Sequence, residues 1–147
     1  HLGVPGLIPE DYVSDLSGRL SLYPRLADLE TDEEIDNFGA ELRDRFGKLP
    51  DETRYLFKVA AIKNYCRRAN IEKVDAGPKG VVVQFRNKEF PNPAALVGYI
   101  AKQGTLAKIR PDQSLFLSRD YPTPERRLTG AAQVMTQLAG LAKQGAA

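Results

Sequence analysis

The sequence has very few of the side chains on which enzyme active sites most often depend. Its 147 residues include one cysteine, Cys66, and one histidine, His1. A lone cysteine excludes an internal disulfide, and with a single terminal histidine it leaves no cysteine–histidine zinc site. A histidine general base, or a Ser–His or Cys–His pair, would need a group from a partner. Catalysis is therefore not expected, and neither is a metal or other cofactor.

Long apolar runs and phosphate-binding patterns are also missing. No run approaches the ~20 apolar residues of a membrane helix, and no secretory signal pattern is present, so a reducing cytoplasm is expected. The pattern GxxxxGK[ST] does not occur, which excludes a phosphate loop of that type. Because 21 basic and 19 acidic residues leave a net charge of only +2, there is no overall basic excess to favour nucleic acid.

The clearest pattern present is a pair of helices within residues 31–70. Thr31 and Glu34 form a capping-box signature, and Gly47 followed by Pro50 predicts the end of the first helix. Asn70 is suited to end the second helix, which Asp51 would cap at its start. The apolar positions recur at steps of three and four, as on one face of a helix. They are Ile35, Phe38, Leu42 and Phe46 in the first helix, and Tyr55, Leu56, Val59, Ile62, Cys66 and Ala69 in the second.

Residues 1–10 are rich in glycine and proline and are interpreted as an extended leading segment or linker. Residues 11–147 are interpreted as a single domain. A helix is predicted from about Ser14 to Tyr23, with a break at Pro24 and a broken continuation, because proline lacks the backbone donor that a helix interior needs.

Beyond residue 70 the pattern changes to β-branched, apolar stretches with turn residues between them. Strands are predicted at 71–74 and 80–85, and again at 106–110 and 114–119 around a turn at Pro111. Between the hairpins, Asn92 and Pro93 begin a helix that is predicted to bury Leu96, Val97 and Ile100, and a last helix spans 125–143. The predicted fold class is α+β. N-terminal helices precede a β-β-α-β-β-α segment, whose small, mainly antiparallel sheet is covered by helices.

The first helix of the pair has a charged side that suggests protein binding. Glu34, Glu41 and Arg45 lie beside its apolar stripe, whereas Asp44 lies opposite the stripe. Such a surface could dock on a basic partner, and the alternative is an ordinary solvated face. A second possibility is a basic patch beside the sheet, from Arg86, Lys88, Lys102, Lys108 and Arg110.

Three segments resemble a known family. They are Ile8–Val13 (IPEDYV), Arg19–Tyr23 (RLSLY) and Glu41–Pro50 (ELRDRFGKLP). These segments, with the later helix at Asn92, are similar to the C-terminal domain of bacterial transcription-repair coupling factors. The resemblance extends from about residue 7 to the end, and Pro24 is a departure from the family pattern.

The resemblance implies a regulatory, autoinhibitory domain rather than an enzyme. The parent of such a domain is an ATP-dependent DNA translocase of the helicase type, which displaces stalled RNA polymerase and recruits nucleotide excision repair. The domain would pack on the N-terminal module of the same chain and mask its surface for the damage-recognition ATPase. Its partners beyond that module, namely this ATPase, RNA polymerase and DNA, would be indirect.

The candidate interdomain interface comprises Glu34, Glu41, Asp44 and Arg45. Phe46, Gly47, Leu49 and Pro50 are interpreted as structural. The alternative function is that of a nucleic-acid-binding accessory domain.

Overall fold

A computed structural model describes residues 6–144. The helices are α1 (Leu16–Ala27), α2 (Asp32–Phe46), α3 (Asp51–Arg68), α4 (Pro93–Gln103) and α5 (Pro124–Gln144). The strands are β1 (Ile71–Gly77), β2 (Gly80–Phe85), β3 (Ala107–Ile109) and β4 (Leu115–Ser118). This order confirms the predicted α+β class and the β-β-α-β-β-α segment. The predicted leading segment at 1–10 lies partly outside the described residues.

The described chain divides into two compact units, and the boundary falls within α3. We call residues 6–64 the helical unit and residues 65–144 the sheet unit. Each has a core of its own.

The helical unit is held together by the apolar faces of α1 and α2. Phe38 stacks on Phe57 with ring centroids 5.7 Å apart, and the Tyr12 hydroxyl donates hydrogen bonds to the carbonyls of Leu42 and Gly47. Seven buried side chains form the core: Ile8, Val13, Leu22, Leu26, Phe38, Leu42 and Leu49.

The predicted ends of α2 are confirmed. The Thr31 hydroxyl accepts a hydrogen bond from the Glu34 amide at 3.1 Å, as an N-cap does. Gly47 closes the helix with a φ of 91°, in the region that favours glycine, and its amide donates to the Arg43 carbonyl.

The prediction of a break at Pro24 was wrong. The helix α1 begins at Leu16 after an Asp15 cap and continues through Pro24 to Ala27. Leu22 and Leu26 lie on either side of the proline and are 2% and 6% exposed, so core packing holds both segments in one helix. Pro24 also still accepts a hydrogen bond from the Asp28 amide, which closes the last turn.

The predicted apolar stripe of α3 is only partly correct. Ile62 and Ala69 are buried, but Tyr55, Leu56, Val59 and Cys66 are half-buried. Two polar residues, Thr53 and Asn64, are buried instead. The Thr53 hydroxyl donates to the Leu7 carbonyl at 3.1 Å, and this bond offsets the cost of removing the hydroxyl from water.

The sheet unit contains one antiparallel sheet with the strand order β1-β2-β4-β3. Its covered face presents Val81, Val83, Leu115 and Leu117, all fully buried, as the alternation of the sequence predicts. The helix α5 packs against β1 and α4, and α4 packs against β3. The helices therefore form one layer on the sheet.

The prediction that α4 buries Val97 was wrong, because this side chain is 67% exposed. Leu96 and Ile100 are half-buried. The cap was predicted correctly: the Asn92 side chain accepts from the Ala95 amide and donates to the Leu141 carbonyl. The reason for the difference is that α4 lies over the edge strand β3, where only part of its surface meets other elements.

Candidate protein-interaction surface

The helix α2 carries the four predicted interface residues and places them at different positions around its axis. At about 100° per residue, Glu34, Glu41 and Arg45 fall beside the apolar stripe, whereas Asp44 falls opposite it. Glu34, Asp44 and Arg45 are exposed and Glu41 is half-buried. The Glu34 carboxylate accepts a hydrogen bond from the Glu30 amide at 3.0 Å, so it contributes to the start of the helix.

Glu41 is the centre of an ion-pair network. Its two carboxylate oxygens accept hydrogen bonds from the Arg25 guanidinium at 2.7 and 2.8 Å, and Arg45 adds a third at 3.1 Å. The hydrogen bond from Arg25 has the largest effect, and together with that from Arg45 it lowers the pKa of Glu41 to about 2. The same bond raises the pKa of Arg25 above its usual value. Both groups are therefore charged across the physiological range.

Both arginines also lie over aromatic rings. The Arg25 guanidinium is 4.6 Å from the centroid of Phe38, and that of Arg45 is 4.8 Å from the centroid of Phe46. Cation–π contacts of this kind hold the guanidinium in place. The Glu41 carboxylate beside the stripe is thus paired within an Arg–Glu–Arg network and is not a free acidic group.

Sequence reasoning did not identify Arg25 as part of this network. It lies 16 positions before Glu41, and the only local signal is a basic residue in the last turn of α1. The helix period predicts contacts between residues three or four apart, such as Glu41 and Arg45. It does not predict contacts between residues of two different helices.

Asp44 differs from Glu41, because it is exposed and makes no ion pair with any residue that the structure describes. Of the three predicted carboxylates, it is the one that accepts no hydrogen bond from a described residue and forms no ion pair with one.

The five basic residues considered for a patch beside the sheet lie on several elements. Lys108 and Arg110 lie on β3 and just after it, where Arg110 is 4.9 Å from the ring of Phe116. Arg86 lies 3.9 Å from the Glu72 carboxylate. Lys88 lines a separate groove of about 210 Å³. Lys102 lies in the last turn of α4.

Residues 6–144 contain neither a metal-binding cluster nor a membrane-spanning helix. Within that range no cluster of three or more His, Cys, Asp or Glu residues could hold a metal ion, and none of the helices has the length and apolar character to cross a membrane. Burial raises the pKa of the Cys66 thiol to about 11, and its Sγ lies 3.7 Å from the Met135 Sδ. A thiol that resists ionisation is a poor nucleophile, which favours a structural role.

The fold and surface define an α+β domain with a helical unit and a small antiparallel sheet. The crystal structure of a C-terminal domain of transcription-repair coupling factor has the same fold. Its TM-score is 0.78 over 97% of this chain and 91% of that chain, at 17% sequence identity.

The chain belongs to the TRCF domain family, which matches residues 2–96. It is 34% identical to the transcription-repair-coupling factor of Escherichia coli over 137 residues, which are 93% of this chain. Identity to the factor of Haemophilus influenzae is 38% over 69% of this chain, and to that of Rickettsia bellii 37% over 78%. The chain spans 12%, 9% and 10% of these three relatives. The resemblance inferred from the sequence is confirmed.

Proposed function

We propose that this chain is an autoinhibitory C-terminal domain of a transcription-repair coupling factor. It packs on the N-terminal module of the same parent and masks the surface that recruits the excision-repair damage-recognition ATPase. The observation that carries the proposal is the match to the TRCF domain, together with the fold shared with a C-terminal domain of such a factor.

In this proposal the parent is an ATP-dependent DNA translocase of the bacterial cytoplasm. It displaces stalled RNA polymerase and recruits nucleotide excision repair, and the present domain has no catalytic part in either step. Residues 1–10 serve as an extended leading segment, of which Ile8 packs into the core of the helical unit, and residues 11–147 serve as the regulatory domain. A clamp of this kind must hold the closed state yet open when the parent engages the polymerase, so its free energy must be modest.

The proposed contact lies on α2 at Glu34, Glu41, Asp44 and Arg45. Asp44 is the leading candidate for a direct contact with a basic partner, because its exposed carboxylate forms no ion pair with a described residue. Glu41 contributes by holding α1 and α2 together through Arg25.

A binding titration by calorimetry tests this proposal. The chain is titrated with the separately expressed N-terminal module of the same parent, at about 50 and 200 mM salt. We expect Asp44→Lys to weaken binding about tenfold at low salt and less at high salt, because exposed charges are screened. The matched control is Asp36→Lys, which reverses the charge of another exposed carboxylate of α2. Asp36 lies beside the apolar stripe, on the side away from Glu41.

Three outcomes are informative. Loss of affinity in Asp44→Lys alone supports the clamp on this helix. Equal affinity of wild type and both variants supports a clamp on another face. Absence of binding by the wild-type chain rejects the autoinhibitory proposal.

A further inference from the structure

The second face of the sheet presents an aromatic ring among cations. Along β2 and β4, fully buried residues alternate with half-buried ones, so the strands have one covered and one open face. The strand register places four residues in a row across the open face, namely Asp75, Val82, Phe116 and Lys108.

Phe116 is the central feature of this open face. It is half-buried although it points away from the face that α4 and α5 cover. Lys108 lies directly opposite it on the edge strand, and the Arg110 guanidinium lies 4.9 Å from its ring centroid. Both cationic residues are exposed. The Arg110 guanidinium thus covers one face of the ring and Lys108 lies across from it on the next strand, so a ligand would stack on the part of the ring that lines the groove.

A groove of about 670 Å³ continues from this ring. Phe116 and the 49% exposed Leu106 supply apolar surface, and Lys79 and Arg119 supply two more cations against one carboxylate, Asp120. The groove is shallow and largely open to solvent. A planar base could therefore enter beside the ring.

We propose that the open face of the sheet binds single-stranded nucleic acid. A base stacks on Phe116 in the groove, and the phosphates on either side pair with Lys108, Arg110 and Lys79. Stacking on aromatic side chains combined with a basic track is the physical basis of single-strand binding by other sheet surfaces. An acidic polypeptide would use the same cations, but only in a nucleic acid does every charged unit also carry a planar group that can stack.

This inference goes beyond the proposed autoinhibitory function and involves a different part of the chain. The clamp is assigned to α2 in the helical unit, whereas the nucleic-acid site is assigned to the sheet unit. Lys108→Gln is therefore expected to leave binding to the N-terminal module unchanged, so the two proposals can fail independently.

The test is fluorescence polarisation of a labelled oligothymidylate of about 12 nucleotides, titrated with the whole chain. Affinities are measured between about 50 and 200 mM salt. We expect Lys108→Gln to reduce the slope of log affinity against log salt by about 0.7, the value for one phosphate contact on a single strand. Phe116→Leu should weaken binding at least about fivefold without changing that slope.

Two controls make the result specific. Lys143→Gln removes an exposed positive charge from α5, in the helical layer, and should change neither affinity nor slope. Phe116→Tyr keeps an aromatic ring and should retain binding, so the role of the ring is tested even if Phe116→Leu unfolds. Thermal unfolding of every variant shows which ones keep the fold.

Several results would overturn the inference. One is absence of oligonucleotide binding by the wild-type chain at low salt. Another is an equal loss in Lys143→Gln and Lys108→Gln, which would indicate diffuse attraction. A third is tighter binding of polyglutamate than of the oligonucleotide. If that binding also depends on Lys108, the surface would be assigned to an acidic protein segment.

Discussion

Arg25 binds the Glu41 carboxylate through two parallel hydrogen bonds, from Nη2 to Oε1 at 2.7 Å and from Nη1 to Oε2 at 2.8 Å. This bidentate pair joins the last turn of α1 to the middle of α2. Bidentate geometry adds orientation as well as energy, so the pair helps to define how the two helices meet. Its consequence for function is that a substitution at Glu41 alters the helical unit itself and is a poor test of a partner contact.

Glu41→Gln should lower the free energy of unfolding, because it removes the ion pairs with Arg25 and Arg45. The expected loss is only about 0.5–1 kcal/mol, because these ion pairs are partly exposed to solvent. Urea unfolding measures the change. The control is Glu33→Gln, at an exposed position of α2 with no ion pair to a described residue, for which a smaller change is expected. A double-mutant cycle with Arg25→Gln should show coupling between the two side chains. Equal effects at Glu41 and Glu33 would contradict this prediction.

The contribution of Glu41 should depend on pH in the acid range. Its pKa is about 2 in the folded chain and about 4.3 in an unfolded chain. Since the folded pKa is the lower one, the stabilisation is fully present above the unfolded pKa and is lost as the pH falls through the folded pKa. The stability difference between wild type and Glu41→Gln should thus shrink between about pH 5 and pH 2. A difference that stays constant over this range would contradict the assignment.

Gly80→Ala should destabilise the sheet unit by roughly 2–4 kcal/mol. Gly80 has a φ of 147°, and an added Cβ would lie 2.0 Å from the Leu117 carbonyl oxygen on the neighbouring strand. Gly77 faces it across the same turn, yet a Cβ there would meet no atom within 4 Å. Gly77→Ala is therefore the matched control and should leave the melting temperature nearly unchanged. Thermal unfolding by circular dichroism distinguishes the two, and equal effects would refute the backbone explanation.

Two glycines of α5 should respond in opposite directions to replacement by alanine. A Cβ at Gly130 would lie 2.2 Å from the Tyr121 ring, so Gly130→Ala should cost about 1–3 kcal/mol. Gly140 is exposed and a Cβ there would contact nothing within 4 Å, so Gly140→Ala should stabilise by about 0.5–1 kcal/mol. Chemical denaturation measures both. Destabilisation by Gly140→Ala would show that α5 depends on another property of that position.

The local elements were largely predictable because their causes lie within a few residues. The α2 cap at Thr31, its end at Gly47 and the hairpin that closes before Gly80 all depend on neighbouring backbone and side-chain groups. The strand alternation that buries Val81 and Val83 is equally local. Family resemblance was also readable, since it depends on short segments such as Glu41–Pro50.

The predictions that failed concern residues whose environment comes from distant parts of the chain. Pro24 remains helical because Leu22 and Leu26 pack into the core, whereas Val97 is exposed because its helix covers only a sheet edge.

The sequence by itself determined the order of helices and strands, the two ends of α2, the buried face of β2 and β4, and the family to which the chain belongs. These properties follow from short-range periodicity, capping and turn chemistry. Only the tertiary structure decided that Arg25 neutralises Glu41, and that Lys108 lies across from Phe116. Both pairings depend on helix packing and strand register, which bring together side chains that no sequence period relates.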